Sequence, residues 1–170
     1  GERRRPLRPH WRRPSGELRN LTLGLLCSSV IQNLEKPMCE TLGRRAVRRR
    51  QGLVQQLPVP AWARDAAAFL LLDYSMYLWH VLTHKVPFLW RLHLVHHVDL
   101  KLTASPALRF HMTDIVVSLP WRAAQVRVIG ASPRAFLLWQ NFFFASVLFH
   151  HGNLRLPRQV ERIVELVLTS

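Results

Sequence analysis

The sequence predicts an all-α fold, an integral-membrane helical bundle with histidine boxes at the helix ends, and three observations lead there. Hydrophobic residues make up 49% of the 170, enough for a packed core or for several membrane helices in one domain. They gather in long runs, chiefly residues 66–82 and 136–149, that very few charges interrupt. The basic residues gather elsewhere: 13 of the 24 Lys and Arg fall within residues 1–51. It is this segregation, more than the composition, that favours a membrane protein.

Taken in order, residues 1–20 form a basic arm rich in Arg and Pro and are expected to be extended or disordered. Residues 21–52 form a second unit. Its apolar stretch, 21–31, is too short to cross about 30 Å of hydrocarbon at 1.5 Å per residue, so it reads as an interfacial helix or part of a longer one. Its second half carries Arg44, Arg45, Arg48, Arg49 and Arg50 and reads as a solvated or headgroup-level helix. From about residue 61 to 83 the apolar density and the lack of Gly and Pro predict a helix of membrane-spanning length, stopped by Pro87. A shorter helix follows through about Val98. Further helices are expected at about 114–129, where Pro120 should kink or break the run, and at about 132–151. Residues 157–170 have an amphipathic pattern, with Val160, Ile163, Val164 and Val167 on one face.

Charge and cysteines narrow the classes. A formal net charge of +14 would suit a nucleic-acid binder, but no base-reading or aromatic stacking module accompanies the arginines, and no nucleic-acid partner is expected. Basic clusters beside apolar helices fit the positive-inside rule and attraction to anionic lipid headgroups, which places the Arg-rich segment on the cytoplasmic side. Cys27 and Cys39 have no metal-ligand or disulfide spacing and read as free thiols. No glycine-rich loop for a flavin or nicotinamide appears, so redox chemistry here would need an external electron donor.

The histidines carry the functional signal, because eight of the nine lie within residues 80–151. His80 and His84 form H-x-x-x-H, and on a helix these positions share a face, so both rings can address one ion. Asp73 precedes them by seven and eleven residues, within roughly 20° of the same direction at 100° per residue. It is therefore an acceptor for a ligand N–H, or a ligand itself. His93, His96 and His97 form H-x-x-H-H; adjacent His96 and His97 diverge by about 100°, enough to serve two ions. His150 and His151 end an apolar helix and are followed by Gly152 and Asn153. His111 stands alone and is as readily a packed core histidine, whereas His10 belongs to the arm. Trp79, Trp90 and Tyr77 read as packing or interfacial aromatics. Imidazole suits Fe, Zn, Cu and Ni alike, but a polyhistidine site among apolar helices fits oxygen chemistry on a buried hydrocarbon better than hydrolysis.

These boxes, with the stretches 107–111 and 148–157, resemble the sterol desaturase and fatty acid hydroxylase superfamily, specifically its bacterial-type members, over residues 53–170. The resemblance implies O2-dependent hydroxylation or desaturation of a sterol, fatty acyl or related lipid at a centre of two irons. It implies His80, His84, His93, His96, His97 and His151 as metal ligands, with Asp73, His111, His150 and Asn153 as ligands or neighbours of ligands. It also implies a bacterial inner membrane or endoplasmic reticulum location. Members of that superfamily carry another H-x-x-H-H box after the segment matching residues 160–170, and this sequence ends before it. The expectation is thus a partial domain of such an enzyme or, alternatively, a truncated, inactive membrane protein of the same family.

Overall fold

The computed structural model describes residues 14–97 and 112–150, and every element within them is helical. The first helix, α1, spans Pro14–Val30, so helix begins inside the arm expected to be extended and runs through the apolar stretch. It does not end there. A π turn, Ile31–Glu35, carries the chain directly into α2, Lys36–Arg49, with the Lys36 N–H donating to the Ile31 carbonyl. Pro37 explains the turn: it has no N–H to give and its ring crowds the carbonyl four residues back, so the preceding turn widens instead of breaking. Arg50 closes α2 in the left-handed conformation (φ 49°).

Helix α3, Ala61–Lys85, matches the expected apolar helix and is the one described helix long and apolar enough to cross a membrane. Only 17% of its most apolar window is buried, and Leu70, Leu71, Tyr74, Tyr77, Leu78 and Leu82 lie on the surface. A flank of this kind is unusual for a surface in water. Val86, extended (φ −91°, ψ 115°) as a residue before proline prefers, ends α3, and Pro87 starts α4, Pro87–His97. Helix α5 spans Met112–Ile129 and runs through Pro120 unbroken, contrary to a break at that position; α6 spans Pro133–His150.

Helix α3 packs against α4, α5 and α6, while α2 packs against α5 and α6. The core between them is formed by Cys39, Val54, Leu72, Val126, Phe136 and Trp139 with small residues such as Ala68 and Ala135. At one end of the bundle two glycines close the packing. Gly52 (φ 93°) and Gly130 (φ 78°) need the left-handed region, and a Cβ on Gly52 would come within 2.4 Å of the Gly130 Cα. Gln55 then donates to the Gly130 carbonyl at 2.8 Å, and Ser132 Oγ donates to Asp65 at 2.7 Å. These contacts gather the C-termini of α2 and α5 and the N-termini of α3 and α6 at one end.

Candidate metal centre

The opposite end of α3 carries the histidines. His80 and His84, one turn apart, meet edge to face, with ring centroids 4.6 Å apart and the two Nε2 atoms at 3.2 Å. His93 comes from α4. Its ring centroid lies 5.2 Å from each of the others, so one ligand atom from each of the three falls within 4.8 Å of the rest. The arrangement follows from the helix turn at Val86: one extended residue folds α4 back on α3, and His93, six positions into α4, meets the His80/His84 face.

His93 is buried (6% exposed), whereas His80 and His84 are open on one side. Trp90, one turn before His93 on α4, lies against the His84 ring at 5.1 Å. Buried Thr83 donates its hydroxyl to the His80 carbonyl at 2.7 Å, fixing the last turns of α3. Trp79 packs on Trp121 of α5 at 5.3 Å and ties the same turns to the bundle.

The spacing of two of the imidazoles suits a shared transition metal, and the third lies close enough to make the three a candidate site. Two ligand nitrogens about 2.0–2.1 Å from one ion lie roughly 2.8–3.4 Å apart in tetrahedral or octahedral geometry. The His80–His84 separation of 3.2 Å falls in that range. Asp73 stands two turns away on α3 and accepts from the indole of Trp139 at 3.3 Å; it is not one of the residues brought together here. His96 and His97 occupy the last turn of α4 and His150 the end of α6, but their side chains lie outside the described set. His111, His151 and Asn153 also lie outside the described residues.

A second polar group, not foreseen in the sequence, sits in the middle of the bundle. Glu35, in the π turn, faces Arg122 of α5 at 3.7 Å and accepts from Gln140 of α6 at 3.0 Å; both charged residues are buried. The Arg122 guanidinium lies over the rings of Trp139 (4.9 Å) and Phe143 (5.6 Å). Burial pushes the thiol of nearby Cys39 up to about 12, Glu35 adding to the rise and Arg122 opposing it. Nothing in the sequence signalled this group, because Glu35 lies in a polar stretch, residues 33–40, that reads as solvated.

The described bundle brings three histidines from two chain-adjacent helices into one cluster that could hold a metal ion. The chain belongs to the fatty acid hydroxylase family, whose pattern it matches over residues 66–169. A cholesterol 25-hydroxylase-like protein of Danio rerio is 30% identical to it over 103 residues, 58% of this chain and 40% of the relative. The matched region therefore spans less than half of that curated relative. No solved structure gives a significant match.

Proposed function

We propose that this chain is part of an O2-dependent lipid hydroxylase or desaturase whose centre holds two irons, with a C–H bond of a sterol or fatty acyl chain as the site of reaction. The observation that carries this reading is the His80–His84–His93 cluster within a fatty acid hydroxylase match. His80, His84 and His93 would hold one ion, and His96, His97 and His151 would contribute to a pair. Bound iron would supply the activation of O2 and the oxidant for hydrogen abstraction. Electrons would come from an external donor protein.

The chain's own residues do the rest. Trp90 lies against the His84 ring and His93 is buried, so among the described residues the cluster is open at His80 and His84. Thr83 and the Trp79–Trp121 contact hold the histidine turns in place against α5. The exposed apolar flank of α3 supports a membrane setting in which the lipid need not enter water, with the Arg-rich segment cytoplasmic.

Metal analysis tests the reading. Detergent-purified chain incubated with ferrous iron under argon should retain iron after desalting, and His93→Ala should lose most of it. Absence of any retained transition metal from the unaltered chain would overturn the proposal.

A further inference from the structure

The end of the bundle remote from the histidines holds a feature that the proposed chemistry does not use. Between the first turns of α3 and α6 lies an open groove of about 390 Å³, lined by Trp62, Asp65, Phe69, Leu70, Arg134 and Leu138. Its floor is apolar. Trp62, Asp65, Phe69 and Leu70 recur along α3 at positions that share one face, and Leu138 of α6 faces them. Trp62 is 71% exposed at the mouth.

Basic residues predominate at this end of the bundle, while the groove itself is lined by one charge of each sign, Asp65 and Arg134. The same end of the bundle carries Arg44, Arg45, Arg48, Arg49, Arg50, Arg64, Arg127 and Arg134, all exposed except the half-buried Arg64. Against them stand Glu40, paired with Arg44 at 3.4 Å, and Asp65, which accepts from Ser132. Arg134 makes no ion pair among the described residues. It also sits in the first turn of α6, where the helix dipole favours an acid, and no acid occupies that turn. Helix stability therefore does not favour an arginine there, and an anion held beside it would offset that cost.

We propose that this groove binds an anionic phospholipid, with its phosphate at Arg134 and one acyl chain along Phe69, Leu70 and Leu138. An apolar trough with an exposed indole at its mouth and a guanidinium that makes no ion pair among the described residues matches the two halves of such a lipid. A free phosphate would use only the arginine. The inference rests on the membrane reading above, and the test separates the two.

The full chain in detergent micelles is mixed with dioleoyl phosphatidylglycerol or dioleoyl phosphatidylcholine, and retained lipid is read by native mass spectrometry. Phosphatidylglycerol should be retained in preference. Arg134→Ala should weaken its retention about fivefold, the effect expected of one basic residue at an anionic surface. Arg134→Lys should keep most of it, and Arg49→Ala, a likewise exposed arginine at the same end that does not line the groove, should change it little. An excess of inorganic phosphate should not displace the lipid. Equal retention of the two lipids, equal loss in Arg134→Ala and Arg49→Ala, or displacement by phosphate would each overturn the site while leaving the membrane reading intact. Release of the expressed chain from membranes by alkaline carbonate would overturn both.

Discussion

The two ends of α3 are held together by opposite means. At the histidine end the cluster itself comes from residues close in the chain, His80 and His84 one turn apart and His93 delivered by the single extended residue Val86, with the Trp79–Trp121 contact as its tie to α5. At the basic end the contacts come from residues far apart: Gly52 on Gly130, Gln55 on the Gly130 carbonyl, Ser132 on Asp65. The first end can preform its cluster from local geometry, while the second exists only once the whole bundle has closed. Glu35, Arg122 and Gln140 lie between the two and join α5, α6 and the π turn.

Variants that attack the middle and then each end should separate these roles. Glu35→Ala leaves Arg122 buried without its carboxylate, and removing one partner of a buried pair costs about 3–5 kcal/mol. Both ends should loosen together, seen as a large fall in thermal midpoint. A variant as stable as the parent would show that the pair is not what joins the ends.

His93→Ala should act on one end alone. Losing a buried ligand should lower iron affinity about a hundredfold or more, beyond the range seen for residues that merely support ligands. The helical circular dichroism signal should be unchanged. The converse variant is Gly130→Ala. It adds a Cβ within 2.6 Å of the Gln51 carbonyl in a left-handed conformation and should destabilise by about 1–3 kcal/mol, leaving iron binding by the folded fraction intact. If iron affinity falls as much as stability does, the ends are coupled more tightly than their contacts suggest.

Smaller effects sharpen the picture. With its thiol pushed up to about 12, Cys39 contributes almost no thiolate at pH 8 and should resist maleimide in the folded chain, becoming labelled only on denaturation. The shift has a sign for stability as well. A thiol whose pKa is raised on folding contributes nothing below its unfolded value near 9, and its neutral burial costs stability progressively as pH rises from about 9 towards 12. Arg49→Ala, solvated and without a described ion pair, should change stability by no more than about 0.5 kcal/mol.

Much of the histidine end was legible in the sequence because its information is local. The i, i+4 spacing set the face of His80 and His84, and Pro87 both stopped α3 and started α4. That α4 would fold back so that His93 joins His80 and His84 was legible only through the family resemblance, since spacing along one helix says nothing of the angle between two. Trp90 was read as a packing aromatic, and its place over His84 needed that same angle. Asp73 shows the limit of periodicity from the other side. It shares a face with the histidines, but α6 supplies Trp139 as its partner at 3.3 Å. Pro37 and Pro120 gave opposite lessons: the first widened a helix into a π turn, and the second was carried within one.

The sequence by itself determined the helical character, the family, the segregation of arginines from apolar runs and the pairing of His80 with His84, because each depends on periodicity or on chain neighbours. The tertiary structure alone decided that Gly52 meets Gly130, that Glu35 faces Arg122, and that Arg134 of α6 meets the apolar face of α3 in one groove. Those are contacts between segments dozens of residues apart, and only the packing of complementary surfaces selects which segments meet.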